Sequence, residues 1–359
     1  LRPTTTTVSL SALKRNLKLA GKFAPGSKNV AVIKANAYGH GAYVVAQALE
    51  SEVDAFAVAF FDEAVQLRDK GIRVPILVLQ GNTGLNDVKE AAARDFWLML
   101  HDQQQLEWVL AAPADQPVNA WLKVDTGMHR LGMDPGEAVT AIERLLGSTN
   151  VCQPPVLCTH LACANETDHA MTNTQVAELK ALAAIYKLPM SIANSAGIMH
   201  WPESHAHWNR PGYMLYGNSP TGSFGRDETG LVPAMTMHSE LIAVRQVSPG
   251  EGVGYEQRWT AEIPSTIGTI PIGYGDGYPR HAPDGTPVLV NGKRVPLAGT
   301  VSMDTITVDL TGLEDPKVGD PVELWGQSLS VNELASIAGT IGYEILAGLS
   351  GRVPLVYTL

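Results

Sequence analysis

The sequence predicts an α/β protein: a (β/α)8 TIM-type barrel over residues 1–229, followed by a mostly β domain over residues 230–359. Two patterns carry this expectation. Up to about Tyr216, eight short apolar runs alternate with longer amphipathic segments, the signature of parallel strands joined by crossover helices. After about Gly230 the chain becomes rich in Val, Ile and Thr and is cut by Gly, Pro and Asn-Gly turns, which suits short antiparallel strands. A doubly wound sheet also explains the alternation, but it does not demand eight units.

An amphipathic segment, "SLSALKRNLKLAGKFA", precedes the first strand. The strand-like runs are "NVAVIKANA", "DAFAVAFF", "VPILVLQG", "FWLMLHD", "VNAWLKVDT", "PVLCTHLA", "MSIANSA" and "PGYMLYG". Their near-continuous apolar character fits strands buried on both faces. Between them, "DEAVQLRDKG", "PGEAVTAIERLLG" and "TQVAELKALAAIYK" read as helices, the first Asp-led and the second opened by Pro and closed by Gly. "SPTGSFGRDETG" reads as the linker. Beyond it, "VLVNGKRV" predicts a hairpin with a tight Asn291-Gly292 turn, and "SVNELASIAGTIG" a helix capped by Ser330. The first few residues of the chain are able to pack with the second domain.

Composition narrows the function classes. With a formal net charge of -10 and no dense Lys/Arg block, the chain suits neither nucleic acid nor an anionic membrane as partner. A local basic pocket for a small anion stays compatible with this balance. No apolar run reaches the roughly 18 residues of a membrane-crossing helix. No secretory signal is visible, and the start at Leu1 leaves room for a removed N-terminal segment. Cys152, Cys158 and Cys163 are odd in number and match no zinc spacing, so reduced thiols in a cytoplasmic protein are expected. His200, His205 and His207 crowd "HWPESHAHW", but no HExxH pattern occurs; a solvated loop is expected there, with no metal.

In a barrel of this kind chemistry sits at the carboxyl ends of the strands. Lys34 ends the first run, Lys123 and Asp125 the fifth, His160 the sixth, and Asn194 and Ser195 the seventh. Arg130 follows the fifth, and Arg210 precedes the eighth. Each alone has a dull explanation, since strand-end lysines snorkel and buried histidines are satisfied core residues. Together, on the face where sites form, they point to a site. Ser195 and the N–H groups of Gly212 and Tyr213 suit a phosphate. A buried lysine suits a Schiff base with an aldehyde, because burial exposes the neutral amine. Phosphate plus aldehyde is what pyridoxal 5′-phosphate offers, and Arg210 is the candidate to face its pyridine nitrogen.

"AVIKANAYGHG", "KVDTGMHRLG", "ANSAG", "WNRPGYMLYG", "VGYEQRW", "GYGDGYPRHAPDGTPVLVNG" and "GTVSMDTITVDL" closely resemble the alanine racemase family, in the expected order and over nearly the whole chain. "KANAYGHG" is highly specific, whereas "GYGDGY" alone is a weak glycine pattern. The resemblance implies a pyridoxal 5′-phosphate enzyme with a barrel and a β domain. It implies that Lys34 carries the cofactor, and that Tyr38, Ser195, Gly212, Tyr213 and Tyr343 hold its phosphate, with Asn194 in the same element. It sets Arg210 against the pyridine nitrogen, linked to His160. It makes Lys34 and Tyr255 the two catalytic bases on opposite faces of the substrate. Tyr255 then arrives from the partner subunit of a homodimer whose sites are shared across the interface.

By the same resemblance Arg130 binds the substrate carboxylate, and Lys123 matches a lysine that is carbamylated in many members. Met303 and Asp304 match a partner-subunit pair near the substrate, while Tyr274 and Arg280 line the entrance. Ser302 stands where several relatives have cysteine, a mild departure. The implied reaction interconverts L- and D-alanine, for peptidoglycan or for catabolism. A broad-specificity amino-acid racemase of the same fold is the alternative. A non-catalytic cofactor-binding barrel lacks the β domain and the tyrosine base.

Overall fold

The structure, a computed structural model, describes residues 2–112, 116–222 and 230–359. Most of the expected linker, residues 223–229, lies outside the described residues. The chain divides into two compact units, Lys14–Ala37 with Ala42–Leu215, and Leu1–Leu13 with Tyr38–Gly41 and Tyr216–Leu359.

Strand β1 (Thr5–Ser9) belongs to the second of these units. The other unit is a closed barrel of eight parallel strands in sequential order: β2 (Lys28–Val32), β3 (Ala55–Val58), β4 (Ile76–Val78), β5 (Phe96–Leu100), β6 (Asn119–Lys123), β7 (Val156–Cys158), β8 (Met190–Ser191) and β9 (Trp208–Asn209). Every residue of β3, β4, β5 and β7 is buried, which is why these runs lack polar alternation. Trp97, Trp121 and Trp208, from β5, β6 and β9, pack ring against ring at 5.2–6.0 Å. Surrounding helices begin where the sequence supplies caps. Asp134 and Glu137 form a reciprocal capping box at Pro135–Leu146, and Asp102 caps Gln103–Ala111.

One strand is not where its apolar pattern placed it. "PGYMLYG" is no strand; Tyr213–Tyr216 forms a buried 3-10 turn, and the eighth strand is Trp208–Asn209, which closes the barrel against Lys28 and Asn29. Arg210 therefore follows the last strand instead of preceding it. Pairing ends there because Pro211 has no N–H to give; its carbonyl still accepts from Val32 at 2.9 Å. Gly212 and Met214 then turn their N–H groups onto the Ser195 hydroxyl.

The β-rich unit holds a six-stranded sheet in which β1 lies between Met235–Glu240, antiparallel, and Leu355–Thr358, parallel. Pro287–Val290 and Lys293–Pro296 pair as a hairpin, with Asn291 (φ 50°) and Gly292 (φ 73°) both left-handed as a two-residue turn requires. Ala243–Val247, Ser265–Ile270 and Ile306–Asp309 form a three-stranded sheet. The helix Val331–Ala338 starts at Ser330, whose hydroxyl accepts from the Asn332 N–H. No helix among the described residues is long and apolar enough to cross a membrane.

Candidate active site

Strand β2 stops at Val32, and the chain then enters a turn over Lys34–Tyr38 in which Ala35, Asn36, Ala37 and Tyr38 all have φ between 51° and 55°. Four successive non-glycine residues in the left-handed region are costly, about 1–2 kcal/mol each. Such a run persists only where its surroundings hold it. Here the Ala35 N–H donates to the Glu63 carboxylate at 2.7 Å, and Ala42 N–H to the Asn36 side chain at 2.9 Å. Lys34 is half-buried at the head of this turn. Burial lowers its pKa, Arg130 and Arg210 lower it further, and Glu63 opposes them.

Lys123, at the end of β6, is 8% exposed. Its pKa is lowered by burial first, with Cys158 opposing and Arg210, Arg130 and Lys34 adding to the depression. Arg210 is 5% exposed and held entirely by neutral acceptors: Ser191 Oγ at 2.5 Å, the Thr159 and Ile192 carbonyls at 2.7 and 3.2 Å, and His160 Nδ1 at 3.4 Å. The His160 imidazole is kept neutral by desolvation and by the same four cations, Arg210, Lys123, Arg130 and Lys34. Among the described residues none of those four makes an ion pair. Lys123 and Arg210 in particular are desolvated positive charges without a carboxylate partner among the described residues, as an anion site requires.

Ser195 is 4% exposed, and its hydroxyl accepts from the Gly212 N–H at 3.0 Å and the Met214 N–H at 3.2 Å. Asn194 caps the helix Ser195–His200 by accepting from the Gly197 N–H at 3.0 Å. Tyr213, between Gly212 and Met214, is buried at 2% exposure. Arg130 is exposed, at the tip of a loop shaped by Asp125. One oxygen of that carboxylate accepts from Gly127, Met128 and His129, each at 3.0 Å. Burial pushes the Asp125 pKa up, but these main-chain donors and the His129 ring outweigh it, and the net direction is down.

The remaining predicted residues belong to the β-rich unit. Tyr38 and Tyr343 approach at 6.0 Å between ring centroids, and Tyr38 and Tyr216 at 4.8 Å. Burial pushes the Tyr38 phenol up to about 12 and that of Tyr343 up as well. Tyr255 is 69% exposed, on a turn with left-handed Gly254, Glu256 and Gln257. Met303 is 52% exposed, and Asp304 pairs with Arg352 at 2.6 Å. The Ser302 and Met303 carbonyls accept from Tyr274 and Gly275 at 3.0 and 2.9 Å, and the Arg280 guanidinium lies 5.9 Å from the Tyr274 ring. A Cβ on Gly273 would meet the Ser302 and Met303 backbone, so only glycine permits this approach.

Two contributors escape a reading of the sequence. Glu63 looks like a helix-start residue in "FDEAV", and Arg352 carries no motif. Of the histidines of "HWPESHAHW", His207 is exposed, whereas His200 and His205 are partly buried. His205 Nε2 lies 2.9 Å from the Ile198 carbonyl, and His207 Nδ1 accepts from Met190 at 3.2 Å. The sequence treats them as loop polarity, whereas two of them close main-chain bonds. No metal-holding group of three or more His, Cys, Asp or Glu occurs among the described residues.

Comparison with known proteins bears on this arrangement. The family model described as "Alanine racemase, N-terminal domain" matches residues 8–220, and "Alanine racemase, C-terminal domain" matches 234–357. The chain is 46% identical to the alanine racemase of Chromohalobacter salexigens, over 99% of this chain and 98% of that protein. It is similar to the crystal structure of biosynthetic alanine racemase from Pseudomonas aeruginosa, with a TM-score of 0.96, 45% identity and full coverage of both chains (100%). It is also similar to the crystal structure of alanine racemase from Bartonella henselae with covalently bound pyridoxal phosphate, with a TM-score of 0.91, 31% identity and 100% coverage of both.

Proposed function

The chain belongs to the alanine racemase family and is an amino-acid racemase, and on that premise we propose that it interconverts L- and D-alanine by a two-base route. The observation that carries the proposal is Lys34, a strand-end amine with a lowered pKa among cations that make no ion pair among the described residues. The residues present fit pyridoxal 5′-phosphate. Unpaired cationic surroundings suit its anionic phosphate, Lys34 suits its aldehyde, and the buried Arg210 suits its ring nitrogen. When bound, the cofactor supplies the electron withdrawal that acidifies the substrate Cα–H.

Lys34, Tyr38, Asn194, Ser195, Gly212, Tyr213 and Tyr343 are assigned to holding that group. Arg210, with His160 beside it, would hold the cofactor's ring nitrogen with donors only, so that nitrogen would be left without a proton. Its four neutral acceptors support this role, since no carboxylate competes for the guanidinium. Lys34 takes or returns the proton on one face of Cα, and Tyr255 does so on the other. The exposure of Tyr255 and Met303 supports delivery from a partner subunit, because a proton-transfer site must be shielded from water. Met303, Asp304 and Tyr274 are assigned with them to the substrate side. Lys123, desolvated toward its neutral amine, is suited to add carbon dioxide with loss of a proton, giving an anion that orients Arg130. The proposed setting is the cytoplasm, with D-alanine either supplied to peptidoglycan or catabolised; relatives at 46% and 44% identity carry biosynthetic and catabolic names.

Racemisation of alanine, serine, lysine and arginine from both enantiomers tests the substrate. Alanine is expected to exceed the rest; comparable rates on lysine or arginine would establish a broad-specificity enzyme. Serine adds only a hydroxyl to alanine, which an apolar pocket rejects by about 10²-fold, so that ratio is the scale to look for. Arg130 is assigned to the substrate carboxylate, and its loop depends on Asp125. Asp125→Ala is therefore expected to raise KM for alanine about tenfold, the scale of one lost charge-assisted contact, while kcat changes less. Steady-state kinetics check it, and an unchanged KM would detach Asp125 from Arg130.

A further inference from the structure

We propose that Glu63 is a positioning residue for Lys34: its carboxylate clamps the Ala35 N–H, and through it the left-handed turn that aims the lysine amine. The inference rests on reading Lys34 as the cofactor lysine. Glu63 sits in the first turn of the helix Phe61–Asp69, which follows β3, the neighbour of β2 in the barrel. One of its oxygens, Oε2, accepts from the Ala59 and Phe60 N–H groups at 2.7 and 3.1 Å, which is ordinary capping work. The other, Oε1, is spent on a different strand's end, accepting from Ala35 at 2.7 Å. A helix start does not need that second bond. The turn after Lys34 does, because four consecutive L residues with positive φ do not hold themselves there.

The same carboxylate is the anion acting on Lys34. Arg130 and Arg210 disfavour the lysine ammonium, as burial does, and Glu63 favours it. Lys123 and His160 share the same cationic neighbourhood. Glu63 therefore has two separable effects, one on where the amine points and one on how tightly it holds its proton.

Apo protein mixed with pyridoxal 5′-phosphate reads both. The rate of covalent uptake, followed by absorbance across pH, rises as Lys34 loses its proton, and its maximum reports how well the amine is aimed. Glu63→Gln has one carbonyl oxygen, which can serve the cap or Ala35 but not both. It is expected to cut maximal uptake about tenfold, the scale of one lost charge-assisted hydrogen bond. It should also move the midpoint to lower pH by about half a unit to one unit, since an opposing anion has gone. Glu63→Asp keeps the charge and the cap but is a methylene too short to span both strands. It should lower the maximum with little shift of midpoint, and it decides the matter alone if the Gln variant does not fold. Adding Ala35→Gly to Glu63→Gln should restore part of the maximum without restoring the midpoint, because glycine enters the left-handed region without a Cβ clash.

Variants that lower only the melting temperature, with uptake maximum and midpoint both unchanged, would reduce Glu63 to a helix cap and overturn the proposal. An adduct that Lys34→Ala still forms would overturn the cofactor-lysine reading itself, and this inference with it.

Discussion

Replacing Lys34 with alanine is expected to lower the rate of alanine racemisation by about 10⁴-fold or more, because the proposed function rests two roles on one amine. Losing a positioned proton-transfer group alone costs about 10²–10⁴-fold, and on the proposed reading this variant also loses the covalent anchor. Lys34→Arg separates charge from chemistry. A guanidinium preserves the cation but never presents a neutral nitrogen near neutral pH, so it should be as inactive as alanine. Adding methylamine to Lys34→Ala should return part of the rate, since a small amine can act where the side chain is missing. A coupled assay for D-alanine formation measures all three. Either variant within tenfold of the parent would remove Lys34 from the mechanism.

The setting of Lys34 also fixes a sign. Burial, Arg130 and Arg210 push its folded pKa below the ordinary 10.5, against Glu63, so the unfolded chain takes up this proton first as pH falls. The contribution of Lys34 to stability therefore rises with pH between its lowered value and 10.5, and it is at its least favourable below both. The unfavourable charge is the physical cost of keeping a neutral amine available.

Tyr255→Phe is expected to lower racemisation by about 10²–10⁴-fold in both directions, because the proposed two-base route needs both bases in every turnover. It should leave cofactor uptake intact, as Lys34 is unchanged. In deuterated water the variant should still exchange the Cα hydrogen of one alanine enantiomer without inverting it, since one face keeps its base. Exchange of both enantiomers at parental rates would exclude Tyr255 as a base. Mixing Lys34→Ala with Tyr255→Phe subunits tests where the tyrosine comes from. If each site takes Lys34 from one subunit and Tyr255 from its partner, random mixing restores about a quarter of the parental sites. No recovery after subunit exchange would confine both bases to one chain.

The two sets of residues behind these predictions were legible to different degrees. Lys34, Lys123 and His160 stand out because a charged or titratable residue at the end of a buried run violates the pattern around it. Ser195 and Asn194 stand out as a strand-to-helix junction, and the structure makes Asn194 a cap. Tyr255, by contrast, sits in an ordinary turn and is marked only by its motif. Glu63 was hidden because its helix-start role already accounts for a glutamate there. "PGYMLYG" misled because a buried 3-10 turn and a buried strand demand the same apolar residues; burial was legible, geometry was not.

By itself the sequence determined the barrel, the β-rich region after it and the family, since these follow from periodicity, turn chemistry and long motifs that need no knowledge of distant contacts. The tertiary structure alone decided that the barrel closes through Trp208–Asn209, and that Arg210 is gripped by neutral acceptors. It also decided that Lys34 heads a left-handed turn tied to Glu63. The reason is common to all three. Each depends on which hydrogen-bond partner, between 19 and 179 residues away, a donor finds when the strands close; Lys28 N–H finds the His207 carbonyl, Arg210 finds Ser191, and Ala35 finds Glu63.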